Sequence, residues 1–196
     1  MQRNRCLLAT KHPPCYLDDL ARQLASKGSE TFLQLHRNPF LLVRSYPARP
    51  GAQSALSTVE TSLESALLHG AGLATAITGA SDFPPLCSAV ELVKRNPSTP
   101  TSKITLGRSR SCDVVIDTPG VSRLHLVFAL DGAGRNYVAD WNSTNGTYLN
   151  RRRLKTREAT PISSGDRLVI HRHHFEFLEA GALARLLVSL FGLSLF

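Results

Sequence analysis

The sequence predicts a mainly β protein: a β-sandwich over residues 88–180, a small helical region over 17–87 before it, and an amphipathic helix over 181–196 after it. Three patterns carry that expectation. Short β-branched runs separated by turn residues fill Ser88 to Ala180, the pattern of a two-sheet fold. Leu17, Leu20, Leu24 and Ala25 fall at helical spacing near the start. Leu183, Leu186, Leu187, Leu190, Phe191 and Leu195 form an apolar stripe near the end, with Arg185 its only charge.

In chain order, residues 1–16 read as a disordered leader. Arg3 and Arg5 precede Cys6-Leu7-Leu8-Ala9, but that stretch is far shorter than a secretory signal core and Lys11-His12-Pro13-Pro14 ends it. Gly28 stands where a helix from Leu17 would stop. Ser29 then caps a second short helix through Phe32, Leu33 and Leu35, ended by Asn38-Pro39. Phe40-Leu41-Leu42-Val43 reads as a buried strand. Pro47, Pro50 and Gly51 mark a loop, and Ser57-Thr58-Val59-Glu60 fits a capping box opening a helix through Leu63, Leu67 and Leu68. Gly70 to Ala80 is ambiguous. His36 and His69 read as satisfied surface or core histidines rather than ligands.

Within the sandwich, the expected strands are Ala89–Lys94, Lys103–Leu106, Val114–Ile116, His125–Leu130, Tyr137–Ala139, Thr147–Leu149, Arg167–Ile170 and Phe175–Leu178. Asn96 to Pro100 reads as a mobile loop, Asp131-Gly132-Ala133-Gly134 as a hairpin connection, and Ser163-Ser164-Gly165-Asp166 as a turn.

Composition narrows the function class. Lys and Arg number 23 against 15 Asp and Glu, a net charge of +8, which favours acidic partners. The four cysteines, Cys6, Cys15, Cys87 and Cys112, form no Cys-x-x-Cys pair, so zinc-ribbon and dithiol redox motifs are absent. No apolar run reaches the roughly 18 residues of a membrane span. A soluble, cytoplasmic protein without metal or cofactor is expected.

Two loops concentrate the chemistry, Thr118 to Arg123 and Asn142 to Thr147. Gly107-Arg108 ends one strand, Ser122-Arg123-Leu124-His125 leads into another, and Ser143-Thr144-Asn145-Gly146-Thr147 makes a tight turn after Trp141. Gathered at one end of a sandwich, two guanidinium forks, two hydroxyls and an amide would suit phosphate oxygens. The set holds no carboxylate, general base or nucleophile pair, so it is suited to binding an anion and not to cleaving it.

Gly107-Arg108, Ser122-x-x-His125 and Asn145-Gly146, in that order, resemble the signature of the forkhead-associated (FHA) domain. The run from Val138 to Asn150 is also similar to that family's. On these motifs the chain is identified as a bacterial-type FHA protein with a helical N-terminal region and a C-terminal helix. The resemblance implies a sandwich of about eleven strands whose apical loops bind phosphothreonine in an extended peptide. It implies that Arg108, Ser122 and Arg123 contact the phosphate, that Thr144 supports the pocket, and that Asn145 bonds the peptide backbone. Gly107, His125 and Gly146 are then structural supports of the binding loops. The implied function is a phosphothreonine-dependent adaptor and not an enzyme. Its partner would be a phosphothreonine-containing protein, a serine/threonine kinase or a kinase substrate. The alternative is a phosphate-independent scaffold or oligomerisation module that uses the same surface.

Some residues depart from the family pattern. Arg151 follows Leu149-Asn150 where a glycine is usual, and His171 follows the strand ending at Ile170 where a glycine is common. Gly120 stands two places before the loop serine, where many relatives carry a basic residue. The run Arg151-Arg152-Arg153-Leu154-Lys155 reads as a solvated face, with acidic-residue recognition or nucleic-acid contact as alternatives. Aromatics do not interleave it, so nucleic acid is not expected. His171 and His173 would face one side of a strand and His174 the other, which disfavours a shared metal ion. Trp141 reads as packing under the binding turn. The C-terminal helix is expected to pack on the rest of the chain, with homodimerisation through it next and membrane contact last.

Overall fold

A computed structural model of the chain describes residues 15–43, 88–97, 102–130 and 134–193. The leader over 1–14, the loop at Pro47, the helix expected from Ser57, the stretch after it and the centre of the 131–134 hairpin connection lie outside the described residues.

Twelve strands and two helices are described. The strands are β1 (Cys15–Tyr16), β2 (Phe40–Val43), β3 (Ser88–Glu91), β4 (Lys103–Gly107), β5 (Val114–Val115) and β6 (Leu126–Leu130), then β7 (Asn136–Asp140), β8 (Thr147–Leu149), β9 (Arg152–Arg153), β10 (Thr160–Ile162), β11 (Arg167–Ile170) and β12 (His173–Leu178). Helix α1 spans Leu17–Leu35 and α2 spans Ala180–Phe191. One sheet has the order β1-β3-β2-β12-β11-β8-β9 and the other β10-β7-β6-β4-β5. All neighbours are antiparallel except the parallel pair β4 and β5.

Period-two alternation decides which side chains meet. In β2, Leu41 points between the sheets while Phe40 and Leu42 point outward. Leu41, Val90, Phe175, Phe177, Leu168 and Ile170 of the larger sheet face Ile104, Leu106, Leu126, Phe128 and Val138 of the smaller one. Phe128 and Phe177 stack across the gap at 6.4 Å. Phe40, Leu42, Ala89 and Leu178 form a second core on the outer face with Leu20, Leu24 and Phe32 of α1 and Leu183 and Leu187 of α2. The described residues therefore form three layers: the small sheet, the large sheet and a helix pair.

Three expectations are corrected by this arrangement. Residues 17–87 are expected to form a mainly helical region with one buried strand, apart from a sandwich over 88–180, but that strand, β2, is hydrogen-bonded between β3 and β12 inside the larger sheet. Its run of four apolar residues is needed because both of its faces are covered. Cys15 and Tyr16, at the end of the expected leader, pair with Ala89 and Ser88. Strands β9 and β10 fall where none was expected. Both are short and weakly apolar, and β10 is an edge strand that tolerates Pro161.

The two short helices expected on either side of Gly28 run as one element broken there, with Gly28 at φ 78° and ψ 164°. His36, at the end of α1, is satisfied by Glu91 at 3.1 Å and Gln23 at 3.2 Å, and its ring lies between Phe32 and Phe40. Helix α2 begins one residue before its expected start and ends at Gly192, which has φ 60° and donates its N–H to the Val188 carbonyl. Asn150 and Arg151 form a two-residue link between β8 and β9, at φ 48° and 68°. Positive φ at both positions is what a type I′ link requires, so Arg151 occupies a glycine-favouring place without altering the hairpin.

Because α1, α2 and the larger sheet share one core, the helices and the sandwich should unfold together. Leu183→Ala, at a fully buried position, should cost about 2–4 kcal/mol. Urea unfolding followed by circular dichroism and by Trp141 fluorescence should give coincident single transitions. Two separated transitions would contradict a shared core.

Candidate functional site

The loops that follow β4, precede β6 and follow β7 meet at one end of the small sheet. Gly107 permits the closest approach. A Cβ there would collide with the Arg123 carbonyl and stand 2.9 Å from the Leu124 Cα, both backbone atoms that cannot swing away. Across this contact, the Arg108 N–H donates to the Ser122 carbonyl at 2.8 Å and the Ser109 N–H to the Arg123 carbonyl at 3.0 Å. Arg108 is thereby fixed beside Ser122 and Arg123 by main chain alone.

His125 joins the loops from inside. Its backbone N–H donates to Leu106 at 2.9 Å, and its carbonyl accepts from Trp141 at 2.8 Å. Its Nδ1 accepts the Ser122 N–H at 3.0 Å, so the neutral ring carries its proton on Nε2. That nitrogen has no partner in strict hydrogen-bonding geometry, although the Gly146 backbone is close enough to favour a proton on the ring. The ring is fully buried. Burial lowers the His125 pKa from its ordinary value and outweighs the opposing influence of Asp140 and Gly146.

Asp140 organises the second loop. Its carboxylate accepts the Ser143 N–H at 2.9 Å, the Ser143 hydroxyl at 2.5 Å and the Thr147 hydroxyl at 2.8 Å. Burial alone would raise its pKa, but these bonds and the adjacent His125 hold it below the usual carboxylate range. Asp140 was not singled out from sequence. An Asp three residues before a Ser, at a strand end, is the available signal of such a turn. Asp113 plays a similar part behind β4, accepting from the backbone of Arg95, Asn96 and Thr105 at 2.6 to 2.8 Å and pairing with Lys94 at 3.1 Å. Its pKa is also lowered, because those bonds outweigh burial.

The two loops are tied to each other by the residues expected at the site. Ser122 Oγ accepts the Thr144 N–H at 3.0 Å and lies 3.4 Å from the Thr144 hydroxyl. Asn145 donates its side-chain amide to the Gly120 carbonyl at 2.8 Å, and its Oδ1 accepts from no donor among the described residues. Arg108, Arg123, Thr144 and Asn145 are exposed and Ser122 is half-buried, whereas Gly107, His125 and Gly146 are buried. Among the described residues, no carboxylate pairs with Arg108 or Arg123.

Two neighbours were not foreseen in this role. The His171 ring, in a turn with φ 57°, covers Gly120, where a Cβ would stand 2.7 Å from it. The Arg153 guanidinium lies on Gly146. His173 is buried while His174 is exposed, so these two side chains diverge. Trp141 does not pack under the turn as expected. It is 37% exposed, with the Arg157 guanidinium 5.6 Å from its ring centre.

A family model of the FHA domain matches residues 104–171, the span that contains every one of these loops. The glycogen accumulation regulator GarA of Mycolicibacterium smegmatis is 34% identical over 116 residues, which cover 55% of this chain and 69% of that protein. The chain belongs to the FHA-domain family. The FHA region is also similar to the DNA damage response protein kinase DUN1 of Saccharomyces cerevisiae, at 37% identity over 86 residues, 41% of this chain and 15% of the kinase. Among solved structures, the MEK1 FHA domain in complex with a HOP1 phosphothreonine peptide aligns with a TM-score of 0.38 and 26% identity, over 47% of this chain and 88% of that one.

The buried histidines should make the stability of this fold depend on pH. His125 and His173 both have lowered pKa values, burial being the main cause in each. The unfolded chain therefore binds protons more readily than the folded one just below the ordinary histidine value of about 6.5. Stability should be full above that value and decline as pH falls from it toward the lowered folded values. Urea midpoints at pH 7.5 and 5.5 should show the decline, and His125→Asn should remove part of it. An unchanged decline in the variant would contradict the role given to His125.

Proposed function

We propose that this chain is a phosphothreonine-dependent interaction module, an adaptor that reads the product of a serine/threonine kinase and performs no chemistry of its own. The observation that carries this reading is a loop end whose exposed arginines pair with no carboxylate among the described residues. The main chain holds Arg108 and Arg123 in the loops that carry the Ser122–Thr144 hydroxyl pair, the Asn145 amide is braced on Gly120, and the nearby Asp140 carboxylate is buried and turned inward. Family membership supports the same reading.

In this account, Arg108, Ser122 and Arg123 hold the phosphate, and Thr144 keeps Ser122 oriented. Asn145, braced on Gly120, bonds the peptide backbone beside the phosphothreonine. Each hydrogen bond to a charged phosphate contributes about 1.5–3 kcal/mol net. Three or four, reduced by the cost of ordering the peptide, leave about −8 kcal/mol, a micromolar Kd. Binding should weaken in high salt, and as pH falls through the second phosphate pKa near 6. The partner is a phosphothreonine-bearing protein, a kinase or its substrate.

Calorimetric titration with phosphothreonine, phosphoserine and unphosphorylated peptide pools tests this reading. Micromolar binding of the phosphothreonine pool alone is expected. Arg108→Ala should weaken it about 100-fold with an unchanged far-UV spectrum, and Asn145→Ala should weaken it about tenfold. Equal binding of phosphorylated and unphosphorylated pools would overturn the proposal in favour of a phosphate-independent scaffold.

A further inference from the structure

The phosphate pocket does not account for Arg153. This residue stands on β9 opposite Tyr148, outside the sequence motifs, in an exposed run of three arginines. Its side chain nevertheless reaches the pocket. A Cβ at Gly146 would stand 2.5 Å from Arg153 Nε, 2.9 Å from Nη2 and 3.1 Å from Cζ. Gly146 directly follows Thr144-Asn145, so the guanidinium lies against the binding turn itself. The turn keeps φ 75° there, a conformation suited to glycine, and the space a side chain would take is filled by Arg153.

The fold also fixes the direction from which Arg153 arrives. The two-residue link at Asn150 and Arg151 sets the register of β9 on β8. Period-two alternation then sends Arg152, which pairs with Leu149, to the opposite face. Leu154 is buried beyond them, with its N–H bonded to the Thr147 carbonyl at 2.9 Å, and anchors the end of the strand. Among the described residues Arg153 pairs with no carboxylate. With its Nε–Nη2 edge turned to Gly146, the planar guanidinium still offers donors at its Nη1 end to a second anion.

We propose that Arg153 is a specificity-determining residue, which reads a second acidic group, carboxylate or phosphate, within about four residues of the phosphothreonine on the same extended peptide. The proposal rests on the phosphothreonine reading of the site. It assigns one arginine of the basic run to peptide selection and leaves Arg152 as solvated charge.

The test is fluorescence anisotropy with the full chain and four labelled peptides. The first carries phosphothreonine with neutral flanks. The second and third add glutamates on its N-terminal or C-terminal side. The fourth carries phosphoserine at the better glutamate position. The wild-type protein should bind one glutamate peptide about three- to fivefold tighter than the neutral one. Arg153→Gln should abolish that preference while leaving the neutral peptide within about twofold, and Arg152→Gln, which removes the same charge, should retain it. Comparing glutamate with phosphoserine identifies which acid the guanidinium prefers. Equal loss of preference in both variants would reduce the effect to net charge and overturn the assignment. So would a wild-type protein indifferent to flanking acids. If even the neutral phosphothreonine peptide failed to bind the wild type, the failure would belong to the underlying reading of the site.

Discussion

The binding end of this molecule depends on one buried imidazole. His125 is the first residue after a loop that must be both close to β4 and open to solvent, and it meets both demands. Its main chain continues the sheet through Leu106 and Trp141, while its ring takes the Ser122 N–H that would otherwise lack a partner inside the loop. A neutral ring is required, because Nδ1 can accept only when it carries no proton. Burial, which lowers its pKa, keeps it in that form. Asp140 completes the arrangement from the other side, holding the turn that carries Thr144 and Asn145. The exposed side chains of Arg108, Arg123, Thr144 and Asn145 thus sit on loops whose backbone is held from beneath.

The rest of the fold holds this end rigid from behind. The small sheet presents the loops, the large sheet packs against it, and the helix pair closes the outer face of the large sheet. Strand β2 lies at the centre of that construction. Its two faces belong to different cores, so a residue lost from it would be felt in both. Helix α2 is consequently part of the molecule's own core, with Leu183 and Leu187 fully buried, although Phe191 at its end remains 44% exposed.

Most of the site was legible in the sequence because side-chain chemistry and chain order carry it. Two arginines, a serine, a threonine and an asparagine in short polar loops mark a candidate anion site before any contact is known. The main strands were legible for a related reason, since alternation in runs such as Phe175-Glu176-Phe177 reports one buried face. Non-local pairing was not legible. The apolar run of β2 identified a strand but not its neighbours β3 and β12, which lie 45 and 130 residues away in sequence. Strand β9 is two arginines and carries no apolar signal at all. Asp140 was hidden because its type is usually exposed, and its role appears only when its three donors are placed around it. The contacts of His171 with Gly120 and Arg153 with Gly146 have no sequence signature, since each joins a side chain to a glycine of another turn.

The central claim is that one loop end, built on His125, receives the phosphothreonine. It is tested most directly by amide chemical-shift mapping, titrating the labelled protein with a phosphothreonine peptide and with its unphosphorylated twin. The account predicts saturable shifts for the phosphorylated peptide alone, centred on the amides of Arg108, Ser122, Arg123, Thr144 and Asn145. Shifts centred on the helix pair, or the same shifts with both peptides, would contradict it.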